Sequence, residues 1–155
     1  MFRALRAAAA VALALCLAGS ASLAAQDAQD TPIKKLSLEG YLDMESVSGP
    51  QISPDGRQIV YTRGWVDKVN DKRESSIWIM NADGSKNRLL VDGSGPVWSP
   101  DGTRIAYTAE GEPQGTQIFV RWMDAAGATT QVTRVEKAPS ALAWSPDGRW
   151  GSFGM

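Results

Sequence analysis

The sequence contains no histidine and only one cysteine, Cys16, among 155 residues. Without an imidazole, a Ser-His-Asp or Cys-His catalytic group cannot be complete within these residues, and a zinc site of Cys and His ligands is excluded. An excess of charge is also lacking, because 16 Lys and Arg stand against 17 Asp and Glu. A nucleic-acid-binding surface is therefore not expected. We predict no catalytic, cofactor-binding or metal-binding residue in this chain, no cofactor and no nucleic-acid partner.

A hydrophobic run of membrane-spanning length is also missing, and the first 25 residues instead predict a secretory signal peptide. Arg3 and Arg6 give a basic start, residues 7–18 are apolar, and small residues lead to a cleavage site near Ala24 or Ala25. The apolar stretch is short for a membrane span. We therefore predict a cleaved signal peptide, no stable membrane anchor, and a periplasmic or secreted protein. The alternative is an uncleaved N-terminal anchor.

Cys16 lies inside the apolar run and follows Leu15, whereas a lipid-modified cysteine would follow a small residue at the end of the run. We interpret Cys16 as part of the signal peptide, removed on processing. The mature chain then holds no cysteine and no disulfide.

Residues 26–47 predict a polar linker followed by a short helix or turn over residues 36–44, weakened as a helix by Gly40. An internal repeat dominates the rest of the chain. The motif Ser-Pro-Asp-Gly begins at Ser53, Ser99 and Ser145, at equal intervals of 46 residues. An apolar residue precedes each motif, and an aromatic residue lies five positions after each glycine; these residues are Ile52, Trp98 and Trp144, and Tyr61, Tyr107 and Phe153. A fixed period of this length indicates a repeat architecture.

Each motif has the composition of a tight turn between two antiparallel strands. Serine can bond the turn backbone, proline fixes its own φ, aspartate tolerates the third position, and glycine accepts a left-handed backbone. In the strand that follows each motif, we expect buried and exposed residues to alternate, so that one face of the strand is buried. A second hairpin follows in each complete unit, around residues 81–84 and 124–127.

The count is four short strands per unit, which predicts an all-β fold of β-propeller blades. We assign residues 48–93 and 94–138 to two blades and residues 139–155 to half of a third. The strands are predicted near residues 49–53, 57–63, 75–81, 86–91, 95–99, 103–109, 116–123, 129–134, 140–145 and 149–153.

Three sets of residues are candidates for chemistry, and each has a simpler interpretation. Asp55, Asp101 and Asp147 could suggest calcium, but each turn offers a single carboxylate, so capping of the turn is favoured. Glu110 and Glu112 form a close acidic pair, but we expect a flexible loop that leaves their separation undefined.

The six tryptophans could suggest a stacking platform for sugars or bases. Trp98 and Trp144 recur at one blade position, which favours packing between blades instead. Trp65 is different, because we place it in a long charged loop over residues 64–74 that could contact a substrate or partner.

The motif SPDG followed by RQIVYTR or TRIAYTA resembles the propeller repeat shared by TolB and by the prolyl oligopeptidase family of serine peptidases. The segment LSLEGYLDMESVSGPQISPDGRQIVYTR resembles the start of acylaminoacyl-peptidase-like and dipeptidyl-peptidase-like members. The resemblance covers residues 36 to about 150. It implies a propeller that caps an α/β-hydrolase domain, with the nucleophilic Ser, the Asp and the His in that C-terminal domain.

No G-x-S-x-G motif occurs in this sequence, and no catalytic residue of the family can be assigned here. We therefore expect the N-terminal propeller portion of a longer exported serine peptidase. Its partners would be the C-terminal hydrolase domain and short peptide substrates. The alternative is a non-catalytic TolB-like propeller that binds protein partners in the periplasm.

Overall fold

The computed structural model describes residues 35–155, so the predicted signal peptide and most of the predicted linker lie outside the described residues. In this described part of the chain, a single short helix, α1 (Leu38–Leu42), precedes ten strands. The Ser37 hydroxyl caps this helix by accepting a hydrogen bond from the Gly40 amide at 3.0 Å. The strands are β1 (Ser46–Ile52), β2 (Gln58–Asp67), β3 (Lys72–Asn81), β4 (Arg88–Asp92), β5 (Ser94–Trp98), β6 (Arg104–Gly111), β7 (Gly115–Trp122), β8 (Thr129–Gln131), β9 (Ser140–Trp144) and β10 (Gly151–Gly154). Within residues 35–155, no helix has the length and apolar character needed to cross a membrane.

The strands form three antiparallel sheets in chain order. Strands β1 to β4 make one four-stranded sheet, β5 to β8 make a second, and β9 pairs with β10. We call these sheets blade 1, blade 2 and the half-blade. The predicted fold class is confirmed: residues 35–155 are an all-β arrangement of four-stranded propeller blades, with two full blades and half of a third.

The three Ser-Pro-Asp-Gly turns have the same internal structure. In the first turn, the Ser53 hydroxyl donates to Asp55 Oδ1 at 2.6 Å and accepts from the Gln58 amide at 2.9 Å. Asp55 Oδ1 also accepts from the Arg57 amide at 3.1 Å. The glycines have φ values of +72°, +68° and +67° in the three turns, the left-handed conformation that the composition predicts. The serine and aspartate side chains therefore connect each turn internally, and the turn fixes the strand pairing beside it.

The hydrophobic core lies between blade 1 and blade 2. Its buried members come from facing sheets: Val60, Ile77 and Ile79 from blade 1, and Trp98, Ile105 and Tyr107 from blade 2. Burial of these faces drives blade-to-blade packing.

Two tryptophans join successive blades by hydrogen bonds. The Trp98 indole donates to the Gln51 carbonyl at 3.3 Å, and the Trp144 indole donates to the Val97 carbonyl at 3.1 Å. Each donor therefore bonds to the first strand of the preceding blade. The prediction that Trp98 and Trp144 pack between blades is confirmed by these contacts.

Two local expectations were wrong. The segment over residues 64–74 is not a long loop, because β2 and β3 continue to pair through Trp65–Glu74, Val66–Arg73 and Asp67–Lys72. Only residues 68–71 form the connection. The expected single buried face was also wrong: Ile105, Ala106 and Tyr107 are consecutive and all buried. The reason is that a blade lies between two neighbours, so both of its faces are covered.

Strand β8 ends earlier than predicted, because beyond Gln131 side chains take the place of backbone hydrogen-bond partners between the two strands. The Ile118 amide donates to the Thr133 hydroxyl at 2.8 Å, and Gln117 is fully buried beside it. The Gln117 amide nitrogen donates to the Val135 carbonyl at 2.8 Å, and its oxygen accepts from the Val135 amide at 3.1 Å. This network satisfies the backbone of the segment that leads to the half-blade.

We predict that Gly93→Ala costs more stability than Gly115→Ala. The two glycines share an unusual φ, +135° and +136°, so the backbone strain of an alanine is matched. A Cβ on Gly93 would lie 2.5 Å from the Thr108 carbonyl oxygen, whereas a Cβ on Gly115 meets nothing within 4 Å. Overpacking should add about 1–3 kcal/mol at Gly93. Denaturant melts of both variants in the intact protein measure this difference. Equal losses of unfolding free energy would contradict the close approach of Gly93 to the Thr108 carbonyl.

Candidate functional site

The two ends of each full blade carry different connections. The Ser-Pro-Asp-Gly turns lie at one end, and the β2–β3 and β6–β7 hairpins lie at the opposite end, which we call the hairpin end. A groove of about 670 Å³ opens there between blade 1 and blade 2. We call it the inter-blade groove; its wall includes Trp65, Glu74, Asp92, Tyr107, Glu110 and Phe119.

Trp65, the tryptophan predicted to contact a substrate or partner, lies on β2 opposite Glu74 and borders this groove. Its side chain is 36% exposed. Because Trp65 belongs to a paired strand and not to a loop, its backbone position is fixed by the pairing with Glu74. The geometry is compatible with a binding role for Trp65.

The fold places Glu110 and Glu112 in different surroundings. Glu110 lies on β6 opposite Thr116 and borders the groove, whereas Glu112 lies in the turn that follows. The expectation of a flexible loop was wrong, because the Gln131 side chain bonds both sides of the Glu112 peptide. Its oxygen accepts from the Glu112 amide at 3.1 Å, and its nitrogen donates to the Glu112 carbonyl. The turn is therefore fixed, and only Glu110 faces the groove.

Charges at the mouth of the groove are partly compensated. Lys72 lies 2.5 Å from Glu74, and this hydrogen bond raises the pKa of Lys72, with a smaller contribution from Glu110. Arg73 also borders the groove. The acidic members Glu74, Asp92 and Glu110 outnumber this single groove-lining arginine, so the groove favours a cationic or neutral ligand group.

The aromatic floor of the groove was not predicted as a site. Tyr107 and Phe119 lie opposite each other on β6 and β7, with ring centroids 5.8 Å apart. Burial raises the pKa of the Tyr107 hydroxyl. The sequence signal for Tyr107 was its repeat position, which indicated a strand but not the groove that two neighbouring blades create.

The aspartates of the three turns act as turn caps. Hydrogen bonds from the preceding serine hydroxyls are the largest cause that lowers the pKa of Asp55, Asp101 and Asp147. For Asp101 the pKa falls to about 2, helped by the amide and hydroxyl of Thr103. Within residues 35–155, no group of three or more His, Cys, Asp or Glu side chains is placed to hold a metal ion.

The remaining tryptophans do not form one platform. The Trp78 indole donates to the Ser76 hydroxyl at 3.0 Å, and the Arg63 guanidinium lies 4.7 Å from its ring centre. The Arg104 guanidinium carbon lies 5.0 Å from the ring centre of Trp122 and 5.1 Å from that of Trp144. Arg104 also donates to the Gly148 carbonyl at 3.0 Å, so this stack joins blade 2 to the half-blade.

Comparison with known proteins identifies relatives of this chain. It is 30% identical over 120 residues to a dipeptidyl-peptidase 5 from Porphyromonas endodontalis, which covers 77% of this chain and 14% of that protein. No protein-family model matches the chain.

Solved structures show the same fold. An acylaminoacyl peptidase from Pyrococcus horikoshii aligns with a TM-score of 0.60 and 23% identity, over 70% of this chain and 17% of that one. The β-propeller domain of the Trilobed protease from Pyrococcus furiosus gives 0.58 and 22%, over 70% and 33%. TolB from Acinetobacter baumannii gives 0.53 and 17%, over 68% and 25%.

The fold is therefore that of propeller blades found both in peptidases and in TolB. Together with the sequence match to a dipeptidyl-peptidase 5, it confirms the predicted resemblance to the propeller part of such peptidases. The chain spans about one seventh of the length of the curated relative that it matches.

We predict that the second turn loses stability in acid, between about pH 4 and pH 2. The pKa of Asp101 is lower in the folded protein, about 2, than its ordinary value of 3.8. Its contribution is therefore present above the ordinary pKa and is lost as the pH falls through the folded one. Asp101→Asn should flatten the stability profile in this range, while Asp92→Asn, outside the turns, serves as the control. Thermal melts from pH 5 to pH 2 measure it, and parallel profiles for the wild type and Asp101→Asn would be the contrary result.

Proposed function

We propose that this chain is the N-terminal propeller portion of an exported serine peptidase that hydrolyses short peptides. The catalytic α/β-hydrolase domain then belongs to a part of the protein beyond residue 155. The main support is the 30% identity to a dipeptidyl-peptidase 5, which extends over 120 residues while reaching only 14% of that protein. The likeness to acylaminoacyl peptidase supports the fold of this portion.

The propeller would provide a surface that binds a peptide before the peptide reaches the catalytic domain. The inter-blade groove offers the aromatic rings of Trp65 and Phe119 to apolar side chains of a peptide. The carboxylates of Asp92 and Glu110 offer contacts to a positively charged amino group. These contacts suit short peptides. The groove side chains would bind the peptide and would not supply a nucleophile.

Export is the second part of the proposal. The basic, apolar and small-residue regions of the first 25 residues support cleavage near Ala24 or Ala25 and release into the periplasm or medium. The absence of cysteine after residue 16 is compatible with an oxidising compartment.

A fluorophosphonate probe that labels activated serines tests the function in the full-length protein recovered from the periplasmic fraction. We expect one labelled serine beyond residue 155 and turnover of dipeptidyl or acyl-aminoacyl chromogenic substrates. Residues 1–155 alone should be neither labelled nor active, because this sequence has no histidine to activate a serine hydroxyl.

A full-length protein that carries only further blades and no labelled serine would contradict the peptidase proposal. That outcome would favour the TolB-like alternative, a propeller that binds protein partners in the periplasm. Labelling of a serine within residues 1–155 would contradict the assignment of catalysis to another domain.

A further inference from the structure

The inter-blade groove carries charged side chains of both signs that do not neutralise one another. Arg73, Asp92 and Glu110 all border it. The five ion pairs in the described part of the chain use other side chains. A cation and two anions in one groove therefore stay available to a ligand that has charges of both signs.

The groove is open because the connection between the two full blades is very short. Asp92 ends β4 and Ser94 begins β5, so Gly93 alone joins blade 1 to blade 2. The next connection, from blade 2 to the half-blade, takes residues 132–139. Residues of that longer connection bond to Gln117 and bury it completely. The single glycine covers much less of the hairpin end, and a groove of about 670 Å³ stays open beside it.

Arg73 faces this groove from blade 1. Strand β3 pairs with β2 without a register shift, so alternate residues of β3 share one face. Ile77 and Ile79 pack in the core between the blades, and Arg73 lies on the same face of the strand. The guanidinium group therefore belongs to the side of blade 1 that faces blade 2.

The carboxylates lie around the aromatic floor of the groove. Glu110 is on β6, the strand that also carries Tyr107. Burial raises the pKa of the Tyr107 hydroxyl, and the negative charge of Asp92 adds to this rise, so the Asp92 carboxylate lies within electrostatic reach of the floor. Phe119 stacks on Tyr107. Carboxylates and aromatic rings both attract an ammonium group.

The groove has a fixed shape and the size of a small-molecule site. A Cβ on Gly93 would lie 2.5 Å from the Thr108 carbonyl oxygen and 2.9 Å from the Tyr107 ring, so the connection is tightly packed on blade 2. Strand pairing fixes the backbone of Arg73 and Glu110. Small-molecule sites typically enclose about 300–1,000 Å³, and a preformed site loses little entropy on binding. The groove therefore fits a small ligand and not a folded protein.

A short peptide with two free ends matches these groups. It offers an ammonium group to the carboxylates, a carboxylate to the arginine, and apolar side chains to the aromatic floor. Hydrolysis creates such a molecule: water adds across the peptide bond, the acyl carbon becomes a carboxylate, and the nitrogen leaves as an amine. An uncleaved substrate has no carboxylate at that position, so the arginine distinguishes a released peptide from a substrate.

We propose that the inter-blade groove binds free dipeptides, with the carboxylate on Arg73 and the ammonium group on Asp92 and Glu110. This inference rests on the proposed function, because dipeptides are the products expected of a peptidase related to a dipeptidyl-peptidase 5. An incoming peptide is then held by its amino end alone, and a released dipeptide by both ends. The product competes with the substrate for the groove.

Calorimetric titration of the full-length protein, with its reactive serine blocked by the fluorophosphonate probe, tests this site. The ligands are the dipeptide Ala-Phe, its C-terminal amide and its N-acetyl form. We expect the amide and the acetyl form to bind about tenfold more weakly than Ala-Phe, because each lacks one charge-assisted hydrogen bond.

Three variants assign the contacts. Arg73→Gln should weaken the binding of Ala-Phe about tenfold and leave that of the amide unchanged, because only the free carboxylate uses the arginine. Glu110→Gln should weaken Ala-Phe and the amide several-fold, but not the acetyl form. Arg57→Gln, beside the first Ser-Pro-Asp-Gly turn, is the matched control and should leave all three affinities unchanged. Retained near-ultraviolet circular dichroism confirms that each variant is folded.

Equal affinities for the three ligands, no binding of Ala-Phe at millimolar concentration, or an unchanged preference in Arg73→Gln would overturn the dipeptide site. A labelled serine together with any of these results removes the dipeptide site alone. Without a labelled serine, the titration is made on the unlabelled protein. A preference for Ala-Phe that Arg73→Gln abolishes then supports the dipeptide site and removes the peptidase, and with it the role of the dipeptide as a product.

Discussion

A single blade cannot cover its own apolar faces, and the rest of the structure depends on this constraint. Val60, Ile77 and Ile79 of blade 1 are buried only because blade 2 lies against them. The indole of Trp98 adds direction, because it donates to the backbone of the preceding blade. Trp144 repeats this contact one blade later, 46 residues along the chain. Apolar packing and these indole hydrogen bonds together stack the blades in chain order.

The Ser-Pro-Asp-Gly turns make this stacking possible. Each turn closes through its own serine and aspartate, so it fixes the register of the two strands that it joins. Fixed register places the tryptophan before each later turn at the same height on its blade. The opposite end carries the inter-blade groove and the β2–β3 hairpin. Binding roles are expected where a rigid scaffold carries variable connections.

The sequence predicted the fold well because the relevant signals were local and repeated. All ten strands were expected close to their observed positions, since turn chemistry marked where each pair begins. The extent of the β2–β3 hairpin was missed. Charged residues such as Asp67 and Lys72 are typical of a loop, but here they continue the strand pairing. Glu112 was misjudged for a related reason: its partner Gln131 is 19 residues away. The groove and the buried Gln117 depend on contacts between elements, which local patterns do not encode.

Neighbouring blades are joined through tryptophan indoles, and hydrogen exchange of the indole N–H groups in the intact protein tests this joining most directly. Trp98 and Trp144 donate to carbonyls of the preceding blade, whereas Trp150 is 74% exposed and serves as the internal reference. We predict slow exchange at Trp98 and Trp144 and fast exchange at Trp150. Exchange at Trp98 and Trp144 as fast as at Trp150 would contradict it.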